Sequence, residues 1–189
     1  VFDPKAAAGK DIELAKRIAR EELDSKAKMP WQIDGRSWHT RDRVTRTGKP
    51  ARWDGAILEH VVDRLAGHEG LPKVDWSQRS VVRISSPDPA KPHFFEAFTG
   101  HEWIVTLCFL VRSGTFEETT LRKQLGLLPF SESPRPVLSD AKRVSVREMR
   151  GVGQEIVITC HLASDIMTPA FDEFLERAAA SAIGLPETT

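Results

Sequence analysis

The segment from Trp31 to Trp53 combines basic and aromatic side chains that suit contact with a nucleic acid. It holds six Arg or Lys residues against two Asp residues, and three tryptophans occur in it. A guanidinium group makes paired hydrogen bonds to phosphate oxygens, and a tryptophan face stacks on an unpaired base. This composition therefore predicts contact with the backbone of a nucleic acid. The residues expected at that interface are Arg36, Trp38, His39, Arg41, Arg43, Arg46, Lys49, Arg52 and Trp53.

The same segment also has a structural interpretation. In it, the tryptophans anchor an irregular segment onto the domain, while the arginines are solvated or pair with acidic residues elsewhere in the chain. The whole chain has 27 basic and 27 acidic residues, so its net charge favours no particular partner and only the local excess does. Both interpretations stay open at the level of the sequence.

Patterns that would support catalysis are incomplete. His101–Glu102 begins like the zinc-binding pattern H-E-x-x-H, but Val105 stands at the closing position. Pro87–Asp88 and Asp140–Lys142 imitate the carboxylates and lysine of a magnesium-dependent nuclease, which remains an alternative. The chain has no glycine-rich phosphate loop, and its two cysteines lie in apolar strand patterns where burial is expected. We therefore expect no catalytic residue, cofactor or metal ligand.

Apolar periodicity and turn residues predict the elements that must position these side chains. A helix is predicted from Asp54 to Gly67, and the last helix is predicted to begin at Thr168–Pro169. Between them, Thr115 and Glu118 have the spacing of a capping box for another helix. Strands are predicted over residues 80–85, 93–98, 101–111, 142–149 and 154–162, the last two as an antiparallel hairpin.

These elements predict an α+β fold. Strands and helices alternate too sparsely for a doubly wound sheet, so we expect a mixed or antiparallel sheet of about five strands with helices packed on one side. A charged linker helix is expected over residues 1–30, followed by the basic, Trp-containing segment at 31–53 and an α+β domain at 54–189. Turns at Asp34–Gly35 and Thr47–Gly48 predict a hairpin-like or looped course for the basic segment, and residues 31–189 are expected to form one compact unit.

The cysteines and the hydropathy of the chain indicate the cellular compartment in which the protein is expected. The two cysteines, Cys108 and Cys160, form no C-x-x-C pair and give no sign of a secreted disulfide framework. No apolar run is long enough to span a bilayer. The expected setting is the cytoplasm, without a membrane partner.

Three stretches resemble the C-terminal extension of UvrA-like paralogues of the excinuclease ABC ATPase. They are PWQIDGRSWHTRDRVTRTGKPARWDGAILEHVVDRL, FFEAFTGHEWIVTLCFLVRSGTFEETTLRKQLGL and RVSVREMRGVGQEIVITCHLASDIMTPAFDEFLERA, which together cover most of the chain. The resemblance implies a C-terminal module of a larger DNA-repair ATPase, tethered by its first thirty residues. The Walker loops, ABC signature and cysteine-ligated zinc modules of that family do not occur here, so neither ATP hydrolysis nor zinc binding carries over to any residue.

From the resemblance and the basic segment together, we expect a non-catalytic accessory domain that contacts DNA. The alternative is a protein-interaction module that docks onto the parent ATPase or onto a protein of the repair complex. In that alternative, Phe94, Phe95 and Phe98 would be exposed or half-exposed anchors.

Overall fold

The computed structural model describes Lys16 and residues 28–45 and 47–184. Most of the linker helix predicted over residues 1–30 lies outside the described residues, and so does Arg46 of the predicted interface. The α-helices of the described residues are α1 (Pro30–Ile33), α2 (Gly35–Ser37), α3 (Ala56–Ala66), α4 (Glu118–Leu125) and α5 (Pro169–Ile183). The strands are β1 (Val74–Asp75), β2 (Val81–Ile84), β3 (Phe95–Phe98), β4 (Val105–Val111), β5 (Val144–Met149) and β6 (Gly153–Cys160).

All six strands form one sheet in the order β1-β2-β3-β4-β6-β5, and every neighbouring pair is antiparallel. The α+β class is therefore confirmed, and the sheet is antiparallel. The strand β1 is additional to the predicted ones. It has only two residues at the sheet edge and lies between Pro72 and Trp76, so it is too short to show a period of its own.

One face of the sheet builds the core. On the central strand β4, Val105, Leu107, Phe109 and Val111 are all fully buried, and their partners across the sheet continue the same apolar face. The buried side chains of α3, α4 and α5 belong to the same cluster. Phe109 packs edge-on against Phe174 of α5, with ring centroids 5.0 Å apart. The opposite face carries polar pairs such as Arg83 with Glu96, whose Nε and Oε1 atoms are 2.7 Å apart.

The helix boundaries follow the sequence signals at most ends. The Thr168 hydroxyl accepts a hydrogen bond from the Phe171 N–H at the start of α5, and Gly184 ends that helix in the left-handed conformation. The predicted capping box at Thr115 and Glu118 is wrong. Glu117 caps α4 instead, because its two carboxylate oxygens accept from the first free backbone N–H groups of the helix.

The first half of the basic segment is helical and not extended. After α1 and α2, a π-helical turn spans Trp38–Asp42. The predicted turn at Asp34–Gly35 is instead a helix start, because the Asp34 carboxylate accepts from the Ser37 N–H, 2.9 Å away. The second half is hairpin-like as predicted, with an isolated bridge between Val44 and Pro50 around Gly48.

Candidate nucleic-acid interface

The basic segment lies against one end of the sheet, where β2 begins and where β3 passes into β4. Its backbone is fixed there, since the Arg52 N–H donates to the Glu102 carbonyl at 2.6 Å. The backbone of Thr40 also closely approaches Gly55, because a Cβ at Gly55 would lie 1.8 Å from the Thr40 carbonyl oxygen. The segment is therefore built into the domain through its backbone as well as its side chains.

Two of the predicted interface residues, Trp38 and Trp53, are buried anchors. Their side chains are 8% and 5% exposed. The Trp38 indole N–H donates to the Arg79 carbonyl at 3.0 Å, and the Trp53 indole N–H donates to the His101 carbonyl at 3.2 Å. Neither ring presents a free face to a base in this arrangement. For these two tryptophans, the interpretation that they anchor the segment onto the domain is therefore the correct one.

His39 is also buried, and it is neutral at physiological pH. Its Nε2 lies 2.8 Å from the Gln78 carbonyl oxygen and its Nδ1 lies 2.8 Å from the Thr99 hydroxyl. A carbonyl oxygen only accepts, so Nε2 carries the proton and Nδ1 accepts from Thr99. Burial lowers the pKa of His39 to about 4. This effect of burial is larger than that of the hydrogen bond to the Gln78 carbonyl, which raises the pKa. His39 therefore brings no positive charge to the interface.

Three of the predicted basic residues are exposed and paired with carboxylates. Arg36 Nη2 lies 2.8 Å from Asp63 on α3. Glu102 accepts from Arg52 Nε at 3.2 Å and lies 3.6 Å from Lys49 Nζ. The basic members of these pairs are about half exposed or more, so each ion pair is weak and exchanges readily for another anion. The Arg52 guanidinium also covers the ring of Trp103, 4.8 Å from its centroid.

Arg41 is exposed, and none of the ion pairs formed by the described residues includes it. Its guanidinium donates to the Ser37 hydroxyl on the preceding turn. The Asp34 carboxyl accepts from both the hydroxyl and the N–H of Ser37, which lowers the pKa of Asp34, and the positive charge of Arg41 adds to that effect. Arg41 therefore presents a positive charge that no carboxylate of the described residues neutralises at contact distance.

The structure adds a basic residue that the sequence argument missed. Arg79 is exposed, lies outside the ion pairs of the described residues, and covers the ring of Trp31 at 5.6 Å from its centroid. Trp31 in turn packs against Trp38, with ring centroids 5.4 Å apart. Only the tertiary contact brings Arg79 to the segment, so nothing in its local sequence could have indicated it.

Arg43 differs from the other basic residues because it is 4% exposed. Its Nε and Nη1 atoms are buried and have no hydrogen-bond partner in the described structure. Burial, with a smaller contribution from the nearby charge of Arg79, lowers the pKa of Arg43 to about 10. The side chain is therefore still charged near neutral pH, although none of the described carboxylates forms an ion pair with it.

The residues that protein docking or a magnesium-dependent nuclease would use do not form one site. Phe94 and Phe95 are fully buried and cannot be docking anchors, which corrects that expectation, whereas Phe98 is 38% exposed. The Asp88 carboxylate accepts from the Ala90 N–H inside its own loop. Among the described residues, no three His, Cys, Asp or Glu side chains lie close enough together to hold a metal ion.

Both cysteines are buried free thiols. Burial raises the pKa of Cys108 to about 12 and also raises that of Cys160, so neither is a reactive thiolate at neutral pH.

Comparison with known proteins finds no match: no family model, curated protein or solved structure is similar to this chain. None of the helices in the described part of the chain is long and apolar enough to cross a membrane.

Proposed function

We propose that this chain is a non-catalytic accessory domain of a UvrA-like DNA-repair ATPase, and that it contacts DNA through its basic segment together with Arg79. The observation that carries the proposal is the pair Arg41 and Arg79. Both guanidinium groups are exposed on the helical half of the basic segment, Arg41 against Ser37 and Arg79 over the ring of Trp31. The described residues offer neither of them a carboxylate partner. Unpaired exposed arginines suit phosphate recognition, since they give up no ion pair when they bind.

The other exposed basic residues extend this surface. Arg36, Lys49 and Arg52 are held by Asp63 and Glu102 in exposed pairs, so a phosphate oxygen can replace those carboxylates at small cost. Releasing counterions from DNA then supplies the driving force.

Two rings next to this surface suit stacking on an unpaired base. Trp103 is 44% exposed and already stacks with the Arg52 guanidinium. Trp31 is partly exposed beneath Arg79. These rings replace Trp38 and Trp53 as the aromatic part of the proposed contact, and they favour single-stranded over fully paired DNA.

Fluorescence anisotropy with labelled single-stranded and duplex DNA tests the proposal. The variant Arg41→Glu with Arg79→Glu is expected to abolish binding at low salt. The matched control is Lys123→Glu with Arg150→Glu, which makes the same change in net charge at two other exposed positions; Arg150 lies in the β5–β6 turn at the opposite end of the sheet. Equal binding by both variants would contradict the proposed surface.

A second candidate function is protein docking onto the parent ATPase or a repair partner. Phe98 and Trp103 favour it, because both are large apolar side chains that remain exposed at the end of the sheet where the basic segment lies. Absence of DNA binding at low salt, with partner capture lost in Phe98→Ser and unchanged in Arg41→Glu, would support docking instead.

A further inference from the structure

A cleft lies between the hairpin-like half of the basic segment and the ends of β2 and β3. Its volume is about 510 Å³, which is large enough for a ligand of nucleotide size. Hydroxyl groups and a glycine form much of its wall, and one exposed aromatic ring lies beside them. The lining residues are Thr45, Thr47, Ser80, Val81, Phe98, Gly100, His101 and Glu102.

The guanidinium of Arg43 lies directly behind the wall of this cleft, next to Gly100. A Cβ added at Gly100 would lie 3.6 Å from Arg43 Nη2 and 3.8 Å from the Ser80 hydroxyl oxygen. Gly100 therefore leaves open the space that a side chain would fill between these two polar groups. The rest of the Arg43 side chain is enclosed, since the residue is 4% exposed.

Within the part of the chain that the structure describes, Arg43 has no counter-charge of the kind that a buried cation ordinarily has. Its Nε and Nη1 atoms have no hydrogen-bond partner in the described structure, and the charged neighbour that acts on it, Arg79, is also positive. The acidic residue of the cleft, Glu102, is already paired with Lys49 and Arg52. A buried charge without a counter-charge destabilises a fold. Nη2 is the guanidinium atom that lies next to Gly100 at the cleft wall, so an anion in the cleft would supply the missing counter-charge there.

The hydroxyl groups of the cleft can complete the coordination of an anion. Thr45 Oγ1 and Thr47 Oγ1 are 3.0 Å apart and share one hydrogen bond, while Thr45 Oγ1 also accepts from the Lys49 N–H. One of the two threonine hydroxyl hydrogens is used between them, so the other is available to a ligand.

We propose that this cleft binds a phosphoryl group, with Arg43 as its counter-charge and the hydroxyls of Thr45, Thr47 and Ser80 as hydrogen-bond donors. A tetrahedral oxyanion uses several donors at once, whereas a halide or a single carboxylate oxygen would leave most of them unused. The inference goes beyond the proposed DNA contact, because it concerns a buried arginine and a cleft that the exposed arginines do not line. The phosphoryl group is either a free phosphate or the end of a nucleic-acid strand.

The test is a thermal-denaturation series with sodium phosphate on the whole chain, supported by isothermal titration. Phosphate is expected to raise the Tm of the wild type and of the control Arg150→Met, but not that of Arg43→Met. Without phosphate, Arg43→Met is expected to unfold at the same temperature as the wild type or higher, because it replaces an unpartnered buried charge by an apolar chain of similar length. An equal phosphate response in Arg43→Met would overturn the proposal.

A second variant keeps the test decisive if Arg43→Met does not fold. Gly100→Ala places a methyl group in ordinary van der Waals contact with Arg43 and Ser80, so the fold tolerates it while the ligand space narrows. We expect phosphate affinity to fall by about tenfold, the loss typical of one hydrogen bond to a charged group. Unchanged phosphate affinity in Gly100→Ala, or no phosphate binding by the wild type, would contradict the site.

Oligonucleotides with and without a 5′-phosphate distinguish the two sources of the phosphoryl group. Tighter binding of the phosphorylated strand, lost in Arg43→Met, identifies a strand end as the ligand; binding of inorganic phosphate alone identifies the free anion, and both results support the site. Failure of the proposed DNA interface can be distinguished from failure of the phosphate site. In that case DNA affinity would be unchanged in Arg41→Glu with Arg79→Glu, while phosphate would still raise the Tm.

Discussion

The indole N–H of Trp38 donates a hydrogen bond to the backbone carbonyl of Arg79, 3.0 Å away and 41 residues further along the chain. This contact joins the basic segment to the loop that precedes β2. It makes Trp38 a positioning residue for Arg79 and not a stacking platform. The arginine that it positions then lies over Trp31, so one buried tryptophan organises an exposed cation and an adjacent aromatic ring.

Replacing Trp38 by phenylalanine should weaken both stability and DNA binding. The Arg79 carbonyl loses its donor, and the loss of one typical hydrogen bond destabilises a fold by about 0.5–1.5 kcal/mol. The free energy of unfolding from urea denaturation and the anisotropy titration measure the two effects. The control Trp103→Phe removes an exposed indole and should leave the free energy of unfolding nearly unchanged. Equal losses of stability in the two variants would contradict the anchoring role of Trp38.

Stability should fall in mild acid because of His39. Burial lowers its pKa in the folded state to about 4, from the ordinary value of 6.5. Between these values the unfolded chain binds a proton that the folded chain does not, so the His39 contribution is complete above pH 6.5 and is lost as the pH falls towards 4. Urea denaturation at several pH values in this window measures the slope.

His39→Gln is the matched variant for this pH dependence. It keeps a donor for the Gln78 carbonyl but has no titrating ring, so its stability should change less with pH over the same window. Carboxylates elsewhere contribute equally to both proteins, and the difference between the two slopes isolates His39. Identical slopes would show that His39 is not kept neutral by burial.

Gly55→Ala should disrupt the packing of the basic segment against the start of α3. Its Cβ would lie 1.8 Å from the Thr40 carbonyl oxygen, and the opposing atom is backbone, so the segment must shift. We expect a loss of about 2–3 kcal/mol in the free energy of unfolding, as for other overpacked sites. Gly67→Ala is the control, since its Cβ meets the Arg64 carbonyl oxygen at 3.4 Å. A fully stable Gly55→Ala protein would contradict this close approach.

Glu102→Gln should strengthen DNA binding. The carboxylate holds both Arg52 and Lys49, and removing its charge frees two cations for phosphate. Because exposed ion pairs contribute at most about 1 kcal/mol, the gain in affinity should be about two- to fivefold at low salt. Glu132→Gln removes an exposed negative charge from a 3-10 helical turn elsewhere in the chain and should have a smaller effect. Weaker DNA binding by Glu102→Gln would argue against Arg52 as a phosphate contact.

Short sequence patterns predicted much of the domain, because the signals for helix ends and for strands each lie within a few consecutive residues. Thr168 with Pro169 and Gly184 marks the two ends of α5, and the alternation along β4 identifies a strand with two largely buried faces. The course of the basic segment was predicted less well. Its helical turns depend on Trp38 and His39 packing against the Gln78–Ser80 loop, and no short window of sequence contains that contact.

The candidate site could also be predicted only in part. The sequence locates the basic segment, but burial separates its members. Trp38, His39, Arg43 and Trp53 are enclosed, while Arg36, Arg41, Lys49 and Arg52 remain exposed. Residue types alone cannot distinguish these two groups, because the long aliphatic part of an arginine side chain can lie in the interior or on the surface, depending on its tertiary neighbours. Tertiary packing decides which arginine faces solvent, and it also brings in Arg79.

The salt dependence of DNA binding tests the proposed interface most directly. Each phosphate contact contributes about −0.7 to the slope of log K against log salt concentration for single-stranded DNA. Neutralising two contacts with Arg41→Gln and Arg79→Gln should therefore make the slope less negative by about 1.4, whereas Lys123→Gln with Arg150→Gln should leave it unchanged. A slope that is equal in the wild type and in the Arg41→Gln, Arg79→Gln variant would contradict the claim that these two arginines contact DNA.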